Sequence, residues 1–253
     1  MTVGNSPPVA QAWLLLALVV SVGCAAVPSS RLDAYLGGQF SKDTQARSEQ
    51  IGGGASPLVA GLFLLNDTTA PGSAPALSAQ GRAFLVRRVQ GAVERATSIR
   101  ISKADSSTSP LPEGLPQRIV GVAQEQGVDY LLLVLLSGAE SEVPTKLSLG
   151  GPEAVAVPGV EIQHHALIEV ALVEIKRRAL LAQATGRAWA VLEETALSIQ
   201  SHQYPVIRRS NGVAWLLPAA PAARDLVRVV AAEESVDQAI PLLASGRTRA
   251  TAR

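Results

Sequence analysis

Apolar residues along this chain fall into two patterns, continuous blocks of strand length and repeats spaced three to four residues apart, and their alternation predicts an α/β fold. The block Leu58-Val-Ala-Gly-Leu-Phe-Leu-Leu65, closed by Asn66-Asp67, has the length and flanks of a buried strand. After a turn-rich stretch with Pro71-Gly72 and Pro75, a helix is expected from about Leu77 to Ala96, with Phe84, Leu85, Val89 and Val93 on its inward face. Ile99-Arg-Ile101 predicts a short second strand, and Ser102 to Pro112 a Ser/Pro-rich loop. A second helix, about Glu113 to Gln126, turns Leu115, Ile119, Val122 and Ala123 inward and stops at Gly127. Val128 to Leu136 follows as the most hydrophobic strand. Strand, helix, strand, helix, strand at these lengths implies right-handed crossovers and a partly parallel sheet.

Beyond it, Ser137 to Gly159 reads as an irregular insertion around Gly150-Gly151-Pro152. His165 to Ile175 is a long strand, Lys176-Arg177-Arg178 a tight basic turn, and Ala179 to Trp189 the return strand. Tyr204 to Pro221 is irregular, and Ala222 to Ala244 is an amphipathic helix broken near Pro241, with Leu226, Val229, Val230, Val236 and Ile240 as its apolar side. The expected class is α/β: a mixed parallel/antiparallel sheet (β-α-β-α-β plus a β-meander) with a C-terminal helix.

The residues before Leu58 carry an address instead of a core. Ala12 to Val27 is apolar except for Ser21, yet at about 1.5 Å per residue it reaches only about 24 Å, short of a ~30 Å hydrocarbon layer. It ends on small residues and the single cysteine, Cys24. This segment resembles a bacterial lipoprotein signal, which is removed before the cysteine whose new amino terminus then carries lipid. Val22 and Gly23 fit the pattern, Ser21 stands where a leucine is usual, and the start of the chain lacks Lys and Arg. An uncleaved anchor and plain secretion are the alternatives. By the same resemblance, Ala25 after the cysteine directs the protein to the outer membrane of a diderm bacterial envelope, facing the periplasm. The expected organisation is a signal over 1–23, a lipidated cysteine and tether over 24–56, a mixed α/β domain over 57–200, and an irregular segment with the C-terminal helix over 201–253.

Composition narrows the function classes. Hydrophobic residues at 47 % against 17 % charged specify a packed core, and a net charge of +1 supplies no field to steer nucleic acid. Only three each of Trp, Tyr and Phe leave little for base or sugar stacking. With Cys24 lipidated no thiol remains for disulfides, thiolate metal sites or cysteine nucleophiles.

Three features in order resemble the rhombotarget lipoproteins of bacteria: Ser29-Ser-Arg-Leu-Asp-Ala-Tyr-Leu36 soon after the cysteine, Gly127-Val-Asp-Tyr130 leading into a strand, and the long strand with its basic turn at Lys176 to Arg178. The resemblance covers roughly residues 24 to 195. That family's name refers to intramembrane-protease processing at a C-terminal apolar segment, a pattern from which Gly246 to Arg253 departs. The order of strands and helices is also similar to the TolB amino-terminal domain, which implies an envelope module that engages protein partners.

Candidate chemistry is sparse. His164-His165 lie on opposite faces of a strand and cannot both ligate one ion, and no Asp, Glu or Cys completes a metal set. His202 with Tyr204 stands in an irregular segment without a placed partner. Gly52-Gly-Gly54 precedes the first strand, whereas a phosphate loop follows one and carries Lys-Ser/Thr. Glu193-Glu194 has no matched carboxylate, and no Gly-x-Ser-x-Gly is present. Arg87-Arg88, Lys176 to Arg178 and Arg208-Arg209 read as solvated polar positions. Asn66, Asp67, Ser102, Lys103 and Ser137 are expected to meet at the carboxyl ends of the parallel strands, where ligands favour a crevice. These readings point to a membrane-anchored envelope lipoprotein, lipidated at Cys24, whose domain binds an envelope protein and takes no cofactor. A periplasmic hydrolase or small-ligand receptor using the strand-end crevice is the alternative, and a subunit of an outer-membrane assembly a third.

Overall fold

The structure is a computed structural model and describes residues 28–42, 57–108, 115–150, 154–196, 203–210, 212, 214–216 and 222–245. One mixed sheet organises all of them. Its strands are β1 (Ser41–Lys42), β2 (Leu58–Asp67), β3 (Ile99–Ser107), β4 (Tyr130–Leu149), β5 (Val155–Glu174), β6 (Ala179–Thr195), β7 (Val206–Arg209) and β8 (Ala214–Leu216). The order across the sheet is β3-β2-β4-β5-β6-β7-β8, with β1 beside β6. β2 pairs in parallel with both β3 and β4, and β4 through β8 form an antiparallel meander. The α/β class and its mixed sheet are therefore as the periodicity implies.

The helices are α1 (Leu32–Leu36), α2 (Ala79–Ala96), α3 (Leu115–Gln126) and α4 (Ala223–Ser245). They cover the sheet from both sides. On one face Leu85, Val89 and Val93 of α2 and Val230, Val236 and Ile240 of α4 pack on Leu62, Leu64, Leu132, Val134, Ile168 and Val170. On the other, Leu32 and Leu36 of α1, Phe40, and Ile119 and Val122 of α3 pack on Phe63, Leu65, Leu131, Leu133, Ala171 and Val173. Alternating strand residues thus serve opposite cores, which is why β2 and β4 read as unbroken apolar runs. The chain steps from β2 to β3 on one side and then across β2 to β4 on the other. Connections that reverse direction while keeping one hand put α2 and α3 on opposite faces.

Several boundaries differ from the sequence expectation. β3 continues to Ser107, through residues expected to be loop, because it hydrogen-bonds along β2 after a bulge near Ala60/Gly61. Ser137 to Gly159, expected to be irregular, is instead a long hairpin in which β4 and β5 stay in register from Ser137↔Leu167 to Leu149↔Val155. Pro144 is tolerated there because β2 ends opposite Ser137, so β4 beyond that point is an edge where a missing N–H breaks no ladder bond. Val206 to Leu216 adds two strands to the meander within a stretch expected to be irregular. α4 runs through Pro241, an exposed position in its last turns, without the expected break. Phe84, placed inward by the helical repeat, is 39 % exposed.

The largest departure is at the amino-terminal side. Residues 28–42, expected as a tether and entry segment with a short helix over Ser29 to Leu36, keep that helix and form a strap across the second face: α1, then Phe40, then β1 paired with the start of β6. Gly37 ends α1 at φ 61, returning its N–H to Asp33. Leu32, Leu36 and Phe40 are all nearly fully buried, roughly 1.5–3 kcal/mol of apolar transfer each.

Candidate functional site

Asp67 closes β2 and Ser137 sits opposite it on β4, both on the strap's face of the sheet. The strap occupies this strand end. Arg31 Nη1 lies 2.9 Å from Asp67 Oδ2, a carboxylate only 1 % exposed, and donates to Thr69 Oγ1 at 2.7 Å. Thr69 in turn donates its N–H and hydroxyl to Asp67 Oδ1 at 2.8 and 2.7 Å. The guanidinium stands 5.4 Å over the Tyr35 ring, and burial raises the Tyr35 hydroxyl above its usual range. Two pairs further down, Glu169 of β5 is buried under the start of α1. It accepts from Ser30 Oγ at 2.5 Å, Arg31 N–H at 2.8 Å and Leu32 N–H at 3.3 Å. A carboxylate from a strand 138 residues away thus caps α1, whose own N-cap, Arg31, has no capping side chain.

The expected cluster is only partly assembled. Asn66 faces the opposite core and accepts from Leu77 N–H at 2.8 Å. Ser102 and Lys103 lie beside Ala60 and Gly61, six residues below Asp67 along the sheet, about 20 Å at 3.3 Å per residue. Ser137 Oγ is buried without a hydrogen-bond partner among the described residues, so no base there activates it. Cys24, Gly52 to Gly54 and His202 lie outside the described residues. Glu169 and Arg31, which build this strand end, were not singled out by sequence reasoning; the paired serines before a short helical pattern were the available signal.

A second polar cluster lies on the α4 face. Arg228 donates Nε and Nη2 to the two oxygens of Glu140 at 2.7 and 3.0 Å, and His164 Nδ1 stands 3.5 Å from the same carboxylate. Burial alone would raise Glu140, but the His164 ring and the Arg228 guanidinium outweigh it and hold the carboxyl down at about 2. Burial lowers His164, more than Glu140 raises it, so the ring is neutral. Its neighbour His165 is half-exposed on the other face, as strand alternation requires. Arg224 extends the network to Glu142 at 3.3 Å and Glu194 at 3.1 Å, while Arg208 pairs with Glu193 at 2.7 Å. Arg88 meets Asp237 at 2.7 Å and Arg209 meets Glu233 at 3.4 Å, so these arginines hold α4 to α2 and to the sheet instead of standing solvated. Among the described residues no group of three metal-ligating side chains converges.

Between α2 and α4 opens a cavity of about 500 Å³ lined by Gly81, Phe84, Leu226, Val229, Arg209 and Glu233. Its walls are mainly apolar, and its volume suits a small molecule or one or two large side chains.

No protein-family model and no curated protein sequence matches the chain. Among solved structures it is similar to a Helicobacter pylori protein described as a homolog of a neuraminyllactose-binding hemagglutinin. The identity is 10 % and the TM-score 0.32, over 74 % of this chain and 81 % of that one. A likeness at that level carries no argument about function.

Proposed function

We propose that this chain is an envelope lipoprotein held to the outer membrane by a lipid on Cys24, whose α/β domain is a non-catalytic module that binds a protein partner. The observation that carries the second half is the strand end: its carboxylates, Asp67 and Glu169, are consumed by the chain's own strap. A seat for a partner's apolar side chains lies elsewhere, in the cavity around Phe84. The first half rests on the residues around Cys24 and on the resemblance to rhombotarget lipoproteins and the TolB amino-terminal domain. The test is the wild type beside Cys24→Ala in a diderm bacterium, by intact mass and membrane fractionation. An acyl mass and membrane retention lost together in the variant are expected; identical behaviour of the two overturns the anchor. A photoreactive residue in place of Phe84 is then expected to crosslink a reproducible envelope protein, and its recovery uncrosslinked in every envelope preparation would sink the partner-binding reading.

The size and apolar walls of the same cavity favour one second reading, a small apolar-ligand receptor. Saturable binding of the uncharged dye N-phenylnaphthylamine, abolished by Leu226→Trp, would establish it.

A further inference from the structure

We propose that the strap lays the domain on its membrane along the sheet face beyond α1, with Trp189 and Val143 turned to the lipid surface. The inference rests on the reading of Cys24 as the lipidated residue. Ser30 is fixed to Glu169, so only six residue steps separate it from Cys24, a reach of about 20 Å at full extension. The β4–β5 hairpin, however, continues past this level. From Glu169 to Val155 is fourteen strand residues, about 45 Å. A bilayer lying across the strand ends within the leash's reach would cut through the hairpin. A bilayer running alongside the hairpin lies within that reach, and Ser30 emerges on one face only, the face of Leu133, Leu135 and Glu169.

Beyond the strap that face keeps two large apolar side chains exposed. Trp189 pairs with His165, four residues along from Glu169 and so about 13 Å away, and is 41 % exposed. Val143, further along the same side, is 40 % exposed. Of the carboxylates on this stretch, Glu193 is held by Arg208 at 2.7 Å and Glu161, opposite Val143, accepts from Gln163 Nε2 at 2.6 Å. An indole and an exposed valine on one face are the side-chain chemistry that settles at a headgroup boundary.

The test uses the full chain, exported and purified from a diderm bacterium and returned to vesicles of phosphatidylethanolamine and phosphatidylglycerol. Nitroxide labels are placed through Val143→Cys and His165→Cys, with Arg87→Cys on exposed α2 as the control. Intact mass is read first: a chain without acyl groups removes the anchor reading itself. On acylated, vesicle-bound protein the labels at 143 and 165 are expected to relax several-fold faster with lipid-soluble oxygen than with a water-soluble nickel chelate, and the label at 87 the reverse. Labels at 143 and 165 that match the control overturn this orientation alone. Labels there shielded from both reagents also overturn it, and assign the face to a protein, a second copy or a partner.

Discussion

His164 shows how one buried ring couples stability to pH. Its neutral form is held between Glu140 and Arg228 beneath α4, with His165 as its chain neighbour on the opposite face. An unfolded histidine takes its proton near pH 6.5, whereas the buried ring resists, so the native state loses ground as pH falls below 6.5. Glu140 has the same sign at lower pH: its carboxyl, about 2 when folded against 4.5 unfolded, favours the native state above 4.5 and less so as pH drops toward 2. The urea midpoint is therefore expected to fall in two steps from about pH 7.5 through about 5.5 to about 3.5. His164→Gln removes most of the first step and keeps the part of the second that Arg228 supplies. A midpoint flat between the first two conditions, or a variant that repeats the wild-type drop, contradicts this account.

Packing between elements depends on small residues at particular crossings. α4 comes so close to β6 that a Cβ built on Gly186 would stand 1.9 Å from the carbonyl oxygen of Ser235. Ser235 also donates to Ala231 and Ala166 carbonyls, and Ala232 and Ala239 flank it, so helix and strand touch backbone to backbone. Gly186→Ala has no flexible atom to push aside and is expected to cost on the order of 3 kcal/mol in urea denaturation. Gly121, inside α3, has nothing within 4 Å of a built Cβ. There alanine is expected to add about 0.5–1 kcal/mol, since only the helical entropy of glycine is removed. Equal effects of the two substitutions would show that the α4 crossing yields more easily than its geometry implies. The helical repeat of α4 and the β6 pattern are both visible in the sequence, but which glycine meets which turn is not. That contact depends on the angle at which two separately readable elements cross.

At the scale of the whole molecule the strap completes the second layer. Without it Phe63, Leu65, Leu131 and Leu133 would have only α3, among the described residues, to cover them on that side of the sheet. Its capping carboxylate is supplied by Glu169, so Glu169→Ala leaves two backbone donors and one hydroxyl without their acceptor. The expected loss is on the order of 3 kcal/mol, with limited proteolysis within residues 28–42 about tenfold faster. Unchanged cleavage and an unchanged midpoint would mean that apolar burial of Leu32, Leu36 and Phe40 holds the strap by itself. β7, β8 and α4 join the same sheet and core, so the described residues after 203 are continuous in packing with the rest.

Local periodicity determined the main strands, the long helices and most of the side chains they turn inward, Phe84 excepted, because burial at period 2 or 3.6 is written into neighbouring residues. The opposite facings of His164 and His165 follow from that alone. Only the tertiary structure decided which strands lie side by side, and polar partners follow from that order: Arg31 finds Asp67, and Ser30 finds Glu169 across 139 positions. The same holds for Pro144, harmless on an edge, since the cost of its missing N–H depends on whether another strand lies there. A short segment such as 28–42 has too few apolar residues to declare itself. Its Leu32, Leu36 and Phe40 become core only where a sheet face is left open to receive them.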